Sequence, residues 1–167
     1  MIKRTYPNSR LRRTRAKGFL RDLVAENNLT TDDLIQPIFI ADQSENQIEI
    51  PSMPGIYRHN LDSLYSEVEA LSRQEIKSVA IFPAIDSSKK DQEGSHALDE
   101  KNIVCLALSG IAERFPEIIK IADVALDPYT DHGHDGLLID GRVENDQTLA
   151  LLQKLALLLA QSGADIV

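Results

Sequence analysis

Short apolar runs alternate with amphipathic segments along most of this chain. The apolar runs predict four β-strands, at residues 34–40, 78–82, 118–126 and 164–167. Between these runs, apolar side chains recur at helical spacing, which predicts three helices, at 61–74, 97–114 and 146–161. A regular alternation of strands and helices is typical of a parallel sheet with right-handed crossover connections.

The last predicted strand contains only four residues and follows a strongly apolar helix. An open doubly wound sheet and a (β/α)8 barrel both fit the alternation, but a complete barrel has about 250 residues. We therefore predict an α/β fold over residues 34–167 that is the N-terminal half of a TIM (β/α)8 barrel, truncated at strand 4. Residues 1–33 are predicted to form an extended N-terminal arm with a short helix at 18–27.

Three long polar loops follow the C-terminal ends of the predicted strands, at 41–58, 84–95 and 127–140. The loops at the opposite end of the predicted sheet, 74–77 and 115–117, are short and plain. In (β/α)8 barrels the catalytic residues come from the loops at the C-terminal ends of the strands. The asymmetry between the two ends therefore predicts an enzyme.

The third polar loop and the strand end before it have the most unusual composition. Residues 123–138, DVALDPYTDHGHDGLL, contain four aspartates and two histidines. Carboxylates are costly to bury unless they are paired or used in chemistry. One interpretation is an ordinary charged turn with a capping aspartate, but we favour an active-site loop.

Side-chain direction groups some of these residues. Asp123 is predicted to lie on the strand, two residues from Ala125 and four from Asp127. Because side chains alternate along a strand with a period of two, all three are predicted to point into the mouth of the barrel. His132 and His134 also alternate, and their HxH pattern resembles the metal motif of barrel hydrolases. That motif lies at the first strand rather than the third, so His132 is predicted to hydrogen-bond the loop backbone instead.

Composition narrows the possible classes of protein. The chain has 167 residues and one cysteine, Cys105, which excludes a disulfide framework and a multi-cysteine zinc site. A reducing compartment fits, and we predict a cytoplasmic protein. No apolar run is long enough for a membrane span, since Lys154 interrupts the richest one.

Charge is distributed unevenly along the chain. The net charge is −8, yet the first 21 residues contain eight lysines or arginines and no acid. A basic arm on an acidic body could bind nucleic acid, or it could hold the acidic body of a sister subunit. We favour contact between subunits and predict no nucleic-acid partner. Arg10, Arg12 and Arg13 are the candidates for interface ion pairs.

Five ordered segments resemble the porphobilinogen synthase (5-aminolevulinate dehydratase) family. They are RLRRTRAKGFLRDLVAENNLTTDDLIQPIFI, IPSMPGIYRHNLDSL, KKDQEGSHA, DVALDPYTDHGHDG and NDQTLALLQKLALLLAQSGADIV. The resemblance covers essentially the whole chain but only about half of a family member. It implies a (β/α)8 lyase of tetrapyrrole and heme biosynthesis that condenses two 5-aminolevulinate molecules to porphobilinogen with loss of two waters.

The resemblance also implies how substrate is held. The family binds its substrates as Schiff bases on lysines, and these lysines are expected beyond Val167. Lys89 and Lys90 do not match the Schiff-base motifs; they lie in a lid-like loop and are expected to meet carboxylates or solvent. Together with Tyr129 and His134 they are assigned to the substrate loops, with Tyr129 supporting the loop.

The metal class follows from three positions in the third loop. Zinc-dependent members of the family carry cysteines where this chain has Ala125, Asp127 and Asp135, so it resembles the cysteine-poor, magnesium-type class. Asp127 and Asp135 could hold a hard cation, or, with Asp123, act directly by hydrogen bonds to the substrate amine and by proton transfer. We favour direct action. An allosteric Mg²⁺ is expected, with its main carboxylate ligand outside this chain.

Two further expectations concern assembly and the alternatives. The basic arm is expected to wrap a neighbouring subunit, as in the octamers of the family. An inactive truncated fragment that acts only in assembly is one alternative function. A metal-dependent barrel hydrolase that uses the HxH at 132–134 is a weaker one.

Overall fold

The computed structural model describes residues 5–7, 9 and 12–167. These residues form two compact units, of which the first ends at Thr30 and the second spans Thr31–Val167. Arg10, one of the predicted interface residues, lies outside the described part of the chain.

Among its described residues, the first unit contains a 3-10 turn and a short helix. The turn, Arg13–Arg15, was not included in the prediction of an extended arm. Helix α1, Gly18–Leu23, ends before the predicted limit at residue 27. Neither element buries a side chain, and a helix this short has little stability without packing. Arg12 and Arg13 are exposed.

The second unit is built on a five-stranded sheet. Its strands lie in the order β2-β3-β1-β4-β5, with bounds β1 Gln36–Ala41, β2 Gln47–Glu49, β3 Tyr57–His59, β4 Ser78–Ala84 and β5 Ile119–Ala122. Strands β3, β1, β4 and β5 are parallel, and β2 is antiparallel to β3. Ile166 forms a single parallel bridge with Ile121, so the C-terminal segment extends the parallel order. The predicted α/β alternation is confirmed.

Three helices pack on the sheet, and each begins at a polar residue that caps it. They are α2 Leu61–Arg73, α3 Ile103–Arg114 and α4 Asn145–Gln161. Asn60 accepts a hydrogen bond from the backbone N–H of Ser63, and Glu144 accepts one from Gln147. The buried Asn102 accepts from the N–H groups of Val104 and Cys105. These caps satisfy backbone donors that a helix leaves unpaired at its first turn.

The two faces of the sheet differ. Ile38 and Ile40 of β1 and Val79 and Ile81 of β4 belong to the buried core beside the helices. Side chains alternate between the two faces along each strand, so Phe39 of β1 and Phe82 of β4 point to the other face. There their ring centroids are 5.9 Å apart. In a closed barrel that second face is the interior.

Several predicted element boundaries in the second unit were wrong. The polar loop at 41–58 contains β2 and β3, and the strand predicted at 118–126 ends at Ala122. The helix predicted from residue 97 begins at Ile103, after a separate 3-10 turn at Ser95–Leu98. The end of the polar loop predicted at 127–140 instead enters a hairpin, formed by β6 Leu137–Ile139 and β7 Arg142–Glu144. In the described part of the chain, no helix has the length and apolar character needed to cross a membrane.

Candidate active site

The candidate site lies beyond the C-terminal ends of β4 and β5, where two loops meet. The first, residues 85–102, follows β4, and the second, residues 123–136, follows β5; we call the second the acidic loop. Asp91 of the first loop and Thr130 of the acidic loop form a parallel β-bridge. The N–H of Asp91 donates to the carbonyl of Tyr129 at 3.3 Å, and the N–H of Asp131 donates to the carbonyl of Asp91 at 3.0 Å.

The acidic loop is closed by its own hydrogen bonds. The backbone N–H of Leu126 donates to Oδ1 of Asp135 at 2.7 Å. The carbonyl of Leu126 accepts from the N–H groups of Tyr129 and Thr130 at 2.8 and 3.0 Å. The hydroxyl of Thr130 donates to the carbonyl of His134 at 2.9 Å. These bonds take Leu126 out of the strand ladder, which explains why β5 is shorter than predicted.

The structure brings the three candidate carboxylates together. Asp123 follows the last residue of β5 directly, so it lies at the strand end rather than on the strand as predicted. Asp127 and Asp135 come from the two sides of the acidic loop. Asp127 is an exposed residue, as are Asp123 and Asp135, but burial of part of its carboxyl group raises its pKa. The nearby charges of Asp135 and then Asp123 raise this pKa further, while Lys90 lowers it. Asp127 is therefore harder to ionise than an isolated aspartate.

The two adjacent lysines point to different surroundings. Nζ of Lys89 lies 2.6 Å from Oδ2 of Asp42, and this hydrogen bond raises the pKa of Lys89. A lysine held as an ammonium ion in this way is a poor nucleophile. Lys90 instead approaches Asp127 closely enough to lower its pKa. Of the two lysines assigned to the substrate loop, Lys90 is thus the one beside the carboxylates.

Lys89 lines a separate cavity of about 540 Å³. This cavity lies above the C-terminal ends of β1 and β4, beside the first turns of α2 and α3. Its polar lining includes Asp42, Asp62, Asp86 and Lys101. Among the described residues that line it, none belongs to the acidic loop, so the cavity does not include the candidate carboxylates.

His132 hydrogen-bonds the backbone, as the sequence predicted. Its Nε2 lies 3.2 Å from the carbonyl of Gln92, and its Nδ1 accepts from the N–H of His134 at 3.1 Å. Both contacts fit a neutral imidazole protonated on Nε2. The ring of His134 is exposed and lies 5.4 Å from that of His132. Because both nitrogens of His132 are engaged, the geometry does not favour a metal site at the HxH motif.

Tyr129 is buried and supports the acidic loop from below. Its ring is 3% exposed and lies 6.2 Å from that of His96 in an edge-on arrangement. Burial raises the pKa of its hydroxyl far above the usual range. Access of substrate to this ring would require movement of the loop.

The side chains at this end of the sheet do not form a ready metal site. Among the described residues, no group of three or more His, Cys, Asp or Glu is arranged to hold a metal ion. One oxygen of Asp135 already accepts a hydrogen bond from Leu126, and Ala125 offers no ligand. Cys105 is buried in α3. The donor set therefore does not fit a resident cation, and no chemical step is assigned to one.

The sequence interpretation did not assign a role to two residues of the first loop. Asp91 accepts hydrogen bonds from Glu93 and Ser95, and Gly94 adopts a left-handed conformation with φ of +65°. The available signal was the order Asp-x-x-Gly-Ser, since Asp and Gly are typical of tight turns. The contact of Asp91 with the acidic loop could not be inferred from the local sequence pattern.

Comparison with known proteins agrees with this arrangement. The family model for delta-aminolevulinic acid dehydratase matches residues 8–167. A delta-aminolevulinic acid dehydratase of Bradyrhizobium diazoefficiens is 46% identical over 158 residues, which cover 95% of this chain and 45% of that protein. One of Chlamydia pneumoniae is 43% identical, again over 95% of this chain and over 48% of that protein. The chain thus spans about half the length of these curated relatives.

A solved structure is similar over the same region. It is delta-aminolevulinic acid dehydratase (porphobilinogen synthase) of Toxoplasma gondii in complex with the reaction product porphobilinogen. The TM-score is 0.90 at 37% identity, over 94% of this chain and 45% of that one. This likeness confirms the predicted fold, the N-terminal half of a (β/α)8 barrel. The family model, the curated relatives and the fold agree, and the chain belongs to the delta-aminolevulinic acid dehydratase family.

Proposed function

We propose that this chain is the N-terminal half of a porphobilinogen synthase. The reaction condenses two 5-aminolevulinate molecules, with loss of two waters, and substrates are held as imines on lysines outside this chain. The observation that carries the proposal is the group Asp123, Asp127 and Asp135 beside Lys90 at the C-terminal ends of the strands. Family membership supplies the reaction class.

Within this proposal the carboxylates act directly on substrate. Asp127, whose pKa is raised, is suited to accept a proton from the substrate amine and to return one, because a group that titrates closer to neutral pH exchanges protons more readily. Asp135 is oriented by the N–H of Leu126 and is positioned to accept a hydrogen bond from the amine. Asp123 adds negative charge that favours the ammonium form of the substrate.

The same proposal includes a bound metal ion, an oligomeric state and a cellular location. An allosteric Mg²⁺ is assigned to ligands outside this chain. Assembly into a homo-octamer is assigned to the basic arm, whose Arg12 and Arg13 are exposed in the first unit. The single cysteine, buried in α3, supports a reducing, cytoplasmic location.

The proposal is tested with the polypeptide encoded by the complete reading frame that contains this chain. We expect it to form porphobilinogen from 5-aminolevulinate, and borohydride to trap labelled substrate on a lysine found by mass spectrometry. Asp127→Asn should lower turnover about 100-fold or more, as loss of an acid–base group does. Asp131→Asn, the same change at an exposed position of the same loop, should stay within about threefold, the scatter of ordinary surface changes.

The outcomes separate the alternatives. A folded protein that neither forms porphobilinogen nor traps substrate would overturn the proposal and would favour a fragment that acts only in assembly. Activity that is equally sensitive to Asp127→Asn and Asp131→Asn would overturn the assigned role of Asp127 but leave the reaction class in place.

A further inference from the structure

Asp91 organises the turn that follows the first loop's two lysines. Its Oδ1 accepts hydrogen bonds from the backbone N–H of Glu93 at 3.1 Å and of Ser95 at 2.9 Å. The hydroxyl of Ser95 donates to Oδ2. These bonds hold the pKa of Asp91 below its usual value, so the carboxylate stays charged as a turn acceptor.

The backbone of the same residue docks on the acidic loop. The N–H of Asp91 donates to Tyr129 and its carbonyl accepts from Asp131, at 3.3 and 3.0 Å. The next carbonyl, that of Gln92, lies 3.2 Å from Nε2 of His132. Residues 91 and 92 of the first loop thus hold three positions of the acidic loop, namely Tyr129, Asp131 and His132.

The docked segment lies between two of the candidate catalytic carboxylates. Residues 129–132 connect Asp127 to Asp135, so their path sets the separation and direction of those side chains. Gly94 shows how closely the loops approach: a Cβ atom built on it would lie 3.4 Å from Cγ2 of Thr130 and 3.5 Å from Cβ of Tyr129. The turn fixed by the Asp91 carboxylate is what brings Gly94 to this place.

We propose that Asp91 is a positioning residue for the reaction of this family. Its carboxylate fixes the turn at 91–95, and its backbone groups then hold the acidic loop so that Asp127 and Asp135 present a fixed geometry to substrate. This inference rests on the proposed function. It assigns Asp91 no contact with substrate.

Asp86, in the same loop, is a matched control, because its carboxylate also fixes a turn but makes no hydrogen bond with the acidic loop in the described part of the chain. Oδ1 of Asp86 accepts from the N–H of Ser88 at 2.9 Å and from its hydroxyl at 2.6 Å. The carbonyl of Asp86 accepts from the N–H of Lys89. These bonds remain within residues 86–89, whereas the backbone of Asp91 reaches the acidic loop.

The test uses the polypeptide of the complete reading frame and three variants. Asp91→Ala should lower kcat about 10- to 100-fold with KM changed by less than about threefold, since a misplacement of about 1 Å costs on that order. Asp91→Asn keeps Oδ1 as acceptor and should recover most of the rate. Asp86→Ala should stay near the wild-type rate. Rates are divided by the number of imine-forming sites, which is measured by borohydride trapping. A variant that yields less folded protein is then not mistaken for one with a lower kcat.

A double-mutant cycle decides between positioning and general damage. If Asp91 acts through the acidic loop, Asp91→Ala should have much less effect when Asp127 is already Asn, so the two losses are not multiplicative. Multiplicative losses, or an Asp91→Asn variant as slow as Asp91→Ala, would overturn the inference. If Asp91→Ala does not fold, Ser95→Ala removes one donor to the same carboxylate and takes its place in the cycle.

Hydrogen exchange distinguishes failure of this inference from failure of the proposed function. Undocking should speed exchange of the Asp131 amide in Asp91→Ala but not in Asp86→Ala. An active wild-type protein in which Asp91→Ala leaves this exchange unchanged would overturn the inference alone. A wild-type protein that makes no porphobilinogen would overturn the proposed function, and the catalytic role of Asp91 with it.

Discussion

At the scale of single residues, the electrostatic setting of Asp127 matters most for chemistry. Partial burial and the charges of Asp135 and Asp123 disfavour its ionised form, and Lys90 opposes them. Because the folded-state pKa is raised above the unfolded value, ionising Asp127 costs the folded state stability. That cost is absent below the unfolded pKa, grows as the pH rises, and is complete above the folded pKa.

Two substitutions should shift the pKa of Asp127 in opposite directions. Asp135→Asn removes a like charge while its amide oxygen can still accept from Leu126, so the pKa should fall. Lys90→Gln removes the opposing positive charge, so the pKa should rise. NMR titration of ¹³C-labelled aspartate carboxyl groups measures both shifts, with Asp127→Asn identifying the signal.

Asp32→Asn provides the control for these titrations. Asp32 pairs with Lys77 just before β4, at the opposite end of the sheet, so its charge should leave the Asp127 titration unchanged. Shifts of the same sign in the Asp135 and Lys90 variants would contradict the charge arrangement described here.

At the scale of elements, the contact between α2 and α3 depends on one glycine. A Cβ atom at Gly110 of α3 would lie 1.9 Å from the hydroxyl oxygen and 2.6 Å from Cζ of Tyr65 in α2. The Tyr65 ring is itself held beneath the guanidinium of Arg114, 4.1 Å from the ring centroid. The ring therefore cannot move aside without loss of that cation–π contact, which is worth about 0.5–1 kcal/mol at an exposed site.

Gly110→Ala should lower the free energy of unfolding by about 1–3 kcal/mol, the usual cost of overpacking. Helix propensity alone predicts the opposite sign, since Ala is favoured over Gly inside a helix by about 1 kcal/mol. Urea unfolding of the complete polypeptide distinguishes the two. In a Tyr65→Ala background the same change should become neutral or stabilising, and a stabilising effect in the wild-type background would show that the contact does not constrain α3.

At the scale of the whole molecule, periodicity predicted the order of elements because apolar spacing reports burial directly. It did not predict β2 and β3, because their three-residue sequences, Gln-Ile-Glu and Tyr-Arg-His, are too short and too polar to show an apolar pattern. These two strands are set by pairing, of β3 with β1 and of β2 with β3. The start of α3 was misplaced because Asn102, a buried cap, lies inside a segment of continuous helical spacing. The grouping of Asp123 with Asp127 could be predicted, because side chains alternate along a strand with a period of two. The approach of Lys90 to Asp127 could not, because it depends on the contact between the first loop and the acidic loop.

An ion pair with one buried partner, Lys120, connects the sheet to the last segment of the chain. Lys120 of β5 is 4% exposed, and its Nζ lies 2.7 Å from Oδ2 of Asp165 and 2.9 Å from the carbonyl of Ile118. Oδ2 of Asp165 also accepts from the N–H of Lys120 at 2.8 Å. The side-chain and backbone hydrogen bonds from Lys120 lower the pKa of Asp165, so their stabilisation is present above its unfolded pKa and lost as the pH falls through the folded one.

Removing the two partners should therefore have unequal effects. Asp165→Asn leaves an ammonium ion almost without water and should cost about 1–3 kcal/mol at pH 7, less than a fully buried pair because Asp165 is half exposed. Lys120→Met leaves a carboxylate that water can still reach, and should cost less. Urea unfolding of the complete polypeptide at pH 7 and pH 3 checks both, and the Asp165→Asn deficit should shrink at pH 3. Asp32→Asn, which breaks an exposed pair with Lys77, should have little effect on stability, as is usual for an exposed ion pair. An equal loss there would mean that burial of Lys120 is not what makes its partner necessary.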